Sequence, residues 1–349
     1  MASSDTLGKP YDVVEAFAAR VKGRHLRVVL PEGRDSRIAL AAYEIKRRGI
    51  AEPIVLGKAE QREIAAQEAG ISLAGIEALD PRESPHIDAY ARQYVGNRND
   101  ISVAIARRMV AKSLFYGGMM VACGDANAMV AGAATATATV IQAGVLTVGL
   151  APGIETVSSY FLMIIPNFQG EPDRAFIYSD CAVNIDPSAE QLADIALASA
   201  QSARSLLGEE PRVALLSYST RGSAGGQSVE KIRQALGILR SRRPELSVDG
   251  ELQVDAAIVP RVAAKKVKDA SRVAGNANVL VFPDLDAGNI GYKLTQYMAN
   301  ARAIGPFLQG FAKPMADLSR GATAEDIVTT AIITLAQVED SGRREEERG

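Results

Sequence analysis

The stretch LRVVLPEGRDSRIALAAYEIKRRGIAEPIVL, Leu26–Leu56, decides the fold. Leu26–Leu30 is a short apolar strand, Arg37–Arg48 reads as a helix with Ile38, Leu40, Ala41 and Ile45 on its apolar side, and Pro53–Leu56 is the next strand. Strand, helix, strand over so few residues calls for a parallel sheet with helices on both faces. LPEG, Leu30–Gly33, ends the first strand in a loop, where open α/β sheets bind ligands. Arg34 and Arg37 just beyond it either meet phosphates of a nucleotide or are simply solvated.

Outward from this unit, Asp12–Val21 carries Val13, Val14, Phe17 and Val21 on one helical face, and His86–Met109 reads as helical and basic, with Arg92, Arg98, Arg107 and Arg108. Met119–Ala122 and Ala128–Val130 read as buried strand pieces around a Gly-Asp turn. Gly132–Thr139 is a run of small residues, Thr137 among them, that either lets a ligand approach the backbone closely or packs as a helix in the core. After Pro152-Gly153, strands are expected at Ala175–Tyr178, Val213–Ser217, Ala256–Val259 and Val279–Phe282, separated by helices such as Ala189–Leu206 and Gln227–Leu239. That is a second α/β unit. The charged tail Glu339–Gly349 has no apolar face and is expected to be disordered.

At 349 residues the chain exceeds one ordinary core, so two domains are expected. A net charge of −2 supplies no basic stripe, which argues against a general nucleic-acid binder. Cys123, Cys181, His25 and His86 show no metal-ligand spacing, so neither a metal site nor a disulfide framework is expected. The first residues, MASSDTLGKPYD, lack the pattern of a signal peptide, and the uncharged run Ala126–Ile154 is too rich in Ala, Gly and Thr for a membrane span. The expected compartment is the cytoplasm.

The chemistry centres on Asp317–Asp326, DLSRGATAED. Thr323 to Asp326 reads as a capping box, with the apolar helix positions Ile327, Val328, Ala331, Ile332 and Leu335 behind it. Ser319 and Arg320 then sit in the loop at the helix's positive end, where a hydroxyl, a guanidinium and backbone N–H groups suit a phosphate.

The longer run GPFLQGFAKPMADLSRGATAEDIV, Gly305–Val328, resembles the C-terminal motif of the phosphate acetyltransferases (phosphotransacetylases). So do LPEGRDSRI at Leu30–Ile38, MVAGA at Met129–Ala133, SDCAVNIDP at Ser179–Pro187, LLSYSTRGSA at Leu215–Ala224, VDGELQVDAA at Val248–Ala257 and DAGNIGYKL at Asp286–Leu294. QLADIALASA at Gln191–Ala200 and GEEPRVALLS at Gly208–Ser217 are similar to the ethanolamine-utilisation form of the family.

The resemblance implies a fold like the isocitrate and isopropylmalate dehydrogenases: two α/β/α domains with parallel-rich sheets and the active site in the cleft between them. Domain I would be residues 1–154 plus 306–349, and domain II, through which a homodimer would form, residues 155–305. It implies the reaction acetyl-CoA + phosphate ⇌ acetyl phosphate + CoA, with CoA as substrate and no cofactor. In the roles it implies, Asp326 takes the thiol proton, Arg320 binds the phosphoryl group and Ser319 hydrogen-bonds in the transition state. Lys293 and Tyr292 in GNIGYK, Cys181 in SDCAVN and Thr137 are expected near the substrate, with Asn289 and Ser223 in Gly-containing loops able to reach a phosphate. Cys181 fits packing better than nucleophilic attack. The chain departs from the family pattern at Ala136 (Ser or Thr in the family), Gln142 (Arg), Ala316 (Asn) and Ala126-Asn127-Ala128 (ADG), which predicts weaker anion binding. Other readings are transfer of another short acyl group such as propionyl or butyryl, a non-catalytic acyl-CoA-binding relative, a dehydrogenase of similar fold, and residence in a bacterial microcompartment.

Overall fold

The computed structural model describes residues 13–96 and 101–338. Asp12, Arg98 and the tail Glu339–Gly349 lie outside the described residues. The first part of the chain runs α1 (Val13–Val21), β1 (Arg27–Leu30), α2 (Ser36–Arg47), β2 (Glu52–Leu56), α3 (Ala59–Glu68), β3 (Glu77–Leu79), α4 (Ile87–Val95), α5 (Val103–Val110), α6 (Ser113–Cys123), β4 (Ala128–Ala131) and α7 (Thr137–Thr147). A second part follows as β5 (Ser158–Phe168), β6 (Glu171–Ser179), α8 (Ala189–Leu207), β7 (Arg212–Leu216), α9 (Gln227–Arg242), β8 (Ser247–Leu252), α10 (Val254–Ile258), α11 (Pro260–Lys266), β9 (Val279–Val281), α12 (Leu285–Met298) and β10 (Arg302–Gln309). The chain then returns through β11 (Met315–Asp317) and α13 (Ala324–Ala336).

The fold is α/β with two sheets. The first has five parallel strands in the order β11-β4-β1-β2-β3. Val28, Val29 and Leu30 of β1 are all fully buried, as expected of a strand covered on both faces by helices. On α2, capped by the Asp35 carboxylate, Ile38, Ala41, Ala42 and Ile45 turn one stripe to that core. The second sheet has the order β10-β5-β6-β9-β7-β8, antiparallel at β10-β5-β6 and parallel from β6 onward. Gly305, near which the chain was expected to leave the second unit, lies within β10, and β11 is the first strand back in the five-stranded sheet. One apolar cluster, running from Leu30 through Ile332 and Leu335 to Leu192, Ala196 and Leu215, joins the two units through α13 and α8.

Two local readings need correction. Met119–Ala122 belongs to α6 and not to a strand, because the helix is buried on every side. Its Gly118 faces Thr147 so closely that a Cβ would stand 2.0 Å from the hydroxyl oxygen, so the apolar run shows no amphipathic period. Ala256–Val259 lies at α10, and the strand of that region is β8, where buried Asp249 and Glu251 are held by Arg221 and Arg233. Polar residues inside a strand hid it. The basic segment His86–Met109 carries two helices, α4 and α5. No helix among the described residues is long and apolar enough to cross a membrane.

Candidate active site

In the five-stranded sheet, β2 and β3 lie on one side of β1, and β4 and β11 on the other. Strand order thus reverses at β1, and the crevice beyond the carboxyl ends there is where such sheets take ligands. Three chain segments leave those ends: Glu32 after β1, Gly132–Thr135 after β4 and Asp317–Arg320 at β11. Glu32 is buried and ties the second segment down. Its Oε2 accepts from the Gly132 and Ala133 N–H groups, each at 2.9 Å, and its Oε1 from the Ala134 N–H at 2.9 Å and the Thr135 hydroxyl at 2.6 Å. Gly132 has φ +108°, and a Cβ there would stand 2.3 Å from Asp317 Oδ1, so only glycine lets β4 and β11 meet in this way.

Arg37 ties the third segment. Its Nη1 donates to the Arg320 and Ala322 carbonyls, both at 2.8 Å, its Nη2 to the Ala133 carbonyl at 2.8 Å and to Asp35 Oδ2, and its Nε to Asp35 Oδ1. A guanidinium has five N–H donors, and here every one has an acceptor. The hydrogen bonds from Arg37 hold the Asp35 carboxyl below its usual range. Arg37 therefore builds the loop that carries Arg320 and has no donor left for a phosphate, which corrects the expectation that it contacts substrate. Arg34 is exposed and does not line the crevice.

The crevice is a cleft of about 540 Å³ between the two sheets. One side comprises Ala136, Thr137, Asp317, Ser319 and Arg320; the other comprises Phe161 of β5, Tyr292 and Gln296 of α12, and Gly305 and Pro306 of β10. The pairing of β10 with β5 shifts register between Ile304 and Phe307, and that bulge turns Gly305 and Pro306 toward the cleft. Tyr292 stacks on Phe161 with centroids 4.1 Å apart and planes 17° apart, giving a flat apolar wall. α7 starts in the cleft with Ala136 as its N-cap, so no side chain caps it. Its first N–H groups and the exposed Ser319 and Arg320 all offer donors to an anion.

Two carboxylates stand near these donors in contrasting settings. Asp326 is exposed at the start of α13, where Oδ2 accepts from the Thr323 N–H at 2.9 Å and the Thr323 hydroxyl at 2.8 Å, completing the capping box with the Asp326 N–H on Thr323 Oγ1. It is not among the residues lining the cleft. Asp317 is 5% exposed and does line it. Its Oδ2 accepts from the Thr137 hydroxyl, and its buried Oδ1 has no hydrogen-bond partner among the described residues. Burial pushes the Asp317 carboxyl up to about 6, the Thr137 hydrogen bond opposes the shift, and the nearby Glu32 charge reinforces it.

The profile of a known family, "Phosphate acetyl/butaryl transferase", matches residues 12–335. The chain belongs to this family. It is 46% identical over 331 residues to a phosphate acetyltransferase of Treponema pallidum, covering 93% of this chain and 98% of that protein. To a phosphate acetyltransferase of Clostridium acetobutylicum it is 42% identical over 330 residues, covering 94% and 99%. The EutD phosphotransacetylase from Staphylococcus aureus superposes with a TM-score of 0.85 at 36% identity, over 94% of this chain and 98% of that one. A 4-hydroxythreonine-4-phosphate dehydrogenase from Klebsiella pneumoniae shares the fold alone, at 11% identity and a TM-score of 0.53 over 90% of this chain and 100% of that one.

Within this phosphate acetyl/butaryl transferase fold, Ser319, Arg320, Thr137 and Tyr292 line one cleft. Lys293 is one residue beyond the lining, with its ammonium 5.1 Å from the Tyr292 ring centroid. Asn289 lies on α12 and not in a loop, and its Nδ2 donates to the Cys181 carbonyl at 3.3 Å. Cys181 is fully buried, with its thiol pushed well up by burial, and packs in the core of the second unit. Glu32, Asp317 and Gln296 were missed. For Asp317 the signal was present: a carboxylate inside the apolar run Met315–Leu318 has to be buried at a strand end. No group of three or more His, Cys, Asp and Glu among the described residues is placed to hold a metal.

Proposed function

We propose that this chain transfers an acetyl group between CoA and phosphate, acetyl-CoA + phosphate ⇌ acetyl phosphate + CoA, with CoA as substrate and no bound cofactor. The observation that carries the reading is the cleft at the strand-order reversal, where Arg320, Ser319 and the N-terminus of α7 converge beside an apolar wall. Arg320 holds the phosphoryl group, and its planar fork orients two oxygens at once. Ser319 and the α7 N–H groups stabilise the charge that develops on the acyl oxygen when sulfur attacks. Asp326 receives the thiol proton and, being exposed, returns it to solvent. Phe161, Tyr292 and Pro306 take the acyl methyl group. Since Ala136 adds no bulk to that cleft, propionyl and butyryl groups are the second reading.

The two sheets are the cores of two domains, and a homodimer forms through the second. Ile290, Leu294, Tyr297 and Met298 make an exposed apolar stripe along α12 at helical spacing, which favours a symmetric partner there. The expected site of action is the cytoplasm. Thioester formation from acetyl, propionyl and butyryl phosphates with CoA, followed by absorbance, tests the reaction. Activity on acetyl phosphate that falls by orders of magnitude in Asp326→Asn is the expected result. An inactive wild type on all three would defeat it, as a monomer mass in light scattering would defeat the dimer.

A further inference from the structure

Acyl transfer moves two protons, one at sulfur and one at phosphate, and the two carboxylates of this site stand in different places. When sulfur attacks acetyl phosphate, the C–S bond forms, the C–O bond breaks and its electron pair goes to the phosphate oxygen. Leaving the dianionic ester unprotonated, phosphate would depart as a trianion, whose proton affinity is far above neutral. A proton donor on the phosphate side therefore matters as much as a base on the thiol side. We propose that Asp317, acting through the Thr137 hydroxyl, is the phosphate-side proton carrier of this enzyme. The proposal rests on the acyl-transfer reading and adds a residue to it.

The placement supports this role. Thr137 is the first residue of α7, whose N-terminus faces the cleft with Ser319 and Arg320, so its hydroxyl belongs to the anion-binding end of the site. That hydroxyl already donates to Asp317 Oδ2, which makes a relay of one hydroxyl between carboxyl and phosphate. Asp317 is buried, and its Oδ1 lies against Gly132 without a full hydrogen bond, since the nearby Leu318 N–H that favours its charged form donates to the Ala131 carbonyl, an arrangement costly for a carboxylate that only fills space. The charge that acts on it is Glu32, from the loop after β1, while Arg320 lines the same cleft. A carboxyl raised to about 6 can hold a proton close to neutral pH and passes it readily to a departing phosphate trianion, whose proton affinity is far higher. A bound dianion would shift it further in the same direction, toward the protonated form.

Thr137 gives its proton to the departing phosphate oxygen and takes the one on Asp317, so phosphate leaves as the hydrogen phosphate dianion and Asp317 is left ionised. The thiol proton has meanwhile gone to Asp326. In the other direction hydrogen phosphate attacks the thioester, its proton passes through Thr137 to Asp317, and Asp326 protonates the departing thiolate.

Steady-state kinetics in both directions across pH 5 to 9, about four units around the shifted carboxyl, test this with the full-length wild type, Asp317→Asn, Thr137→Val and Thr137→Ser. Asp317→Asn keeps an acceptor for the Thr137 hydroxyl but carries no titratable proton. The expected result is a fall in kcat of about a hundredfold or more in both directions for Asp317→Asn and Thr137→Val. KM for CoA should stay within about threefold, the pH dependence belonging to Asp317 should disappear, and Thr137→Ser should recover most of the rate. Wild-type kcat in Asp317→Asn, or Thr137→Ser as poor as Thr137→Val, would overturn the relay and leave the acyl-transfer reading standing. A wild type inactive on every acyl phosphate would overturn both. Should Asp317→Asn not fold, the two Thr137 variants decide the matter alone.

Discussion

The first turn of α2, just beyond β1, and the loop after β11 each carry an arginine close to the cleft, and the two are used in opposite ways. Arg37 satisfies all its donors on Asp35 and on the carbonyls of Ala133, Arg320 and Ala322. The Arg320 side chain is exposed at the cleft and makes no hydrogen bond or ion pair within the described residues. One guanidinium builds the wall on which the other is mounted. Residue type and neighbourhood in sequence cannot separate these roles; counting which N–H groups are already occupied can.

The hardest test of that contrast is Arg320→Gln. A charged hydrogen bond is worth about 1.5–3 kcal/mol, and a fork that makes two to a phosphoryl group stands to lose both. The expected fall in kcat/KM for acyl phosphate is a hundredfold to several thousandfold, ~3–5 kcal/mol, with an unchanged melting temperature. Arg320→Lys, which keeps the charge and loses the fork, should recover only part of it. Wild-type kinetics in either variant would show that Arg320 points away from the reaction.

Arg37→Gln should do the reverse. It leaves the partly buried Ala133 and Ala322 carbonyls without donors and Asp35 without its counter-ion, so stability should drop by about 1–3 kcal/mol, read as a lower midpoint in urea. Loss of phosphate affinity at undiminished stability would reverse the assignment and make Arg37 a ligand.

How much of this was legible beforehand follows the same division. The β1-α2-β2 unit announced itself because its apolar runs have the right lengths and a clear helical stripe lies between them. The DLSRG loop was legible as an anion site because Thr323 and Asp326 mark a helix start, and the capping box is present. The hidden parts are those whose meaning depends on a partner far along the chain. Glu32 acts on residues a hundred positions away, at Gly132 and beyond. Arg37 acts on Arg320, separated by 283 positions. Asn289 was misplaced because the glycines of DAGNIGYK suggest a loop. They serve instead to let α12 approach closely: a Cβ on Gly288 would stand 2.3 Å from the Asp180 carbonyl oxygen.

A third test uses the loop's own carboxylate as a gauge of burial. Asp317 has its folded-state value raised to about 6 from an ordinary 3.8. The folded state thus holds the proton more tightly than the unfolded one, so this group favours folding most below about pH 4, and that contribution is lost as pH rises through about 6. A shift of about two units corresponds to roughly 3 kcal/mol at most. Asp317→Asn should therefore be more stable than wild type at pH 8, by up to about that amount, with the gain shrinking toward pH 4. Chemical denaturation at the two pH values checks it. An equal effect at both would mean that Asp317 is ionised in the fold without penalty, and the contrast with Asp326 would disappear.

The smallest effect is expected at Gln142, where the family pattern has an arginine. Gln142 is exposed on α7, five residues beyond Thr137, and it does not line the cleft. At 1.5 Å per residue it sits about 7 Å along the helix from the cleft, so an arginine there can reach a bound anion only by extending its side chain through solvent. Exposed pairs of this kind are worth about 0–1 kcal/mol, and so Gln142→Arg should lower KM for CoA or phosphate by about fivefold at most. The gain should fall as salt is added, because the Debye length shortens from about 10 Å at 0.1 M to about 3 Å at 1 M. Kinetics at two ionic strengths separate this from the rival outcome. A tenfold or larger gain that survives high salt would mean that the added guanidinium reaches a desolvated phosphate, and that Arg320 is not the cation on which this site chiefly relies.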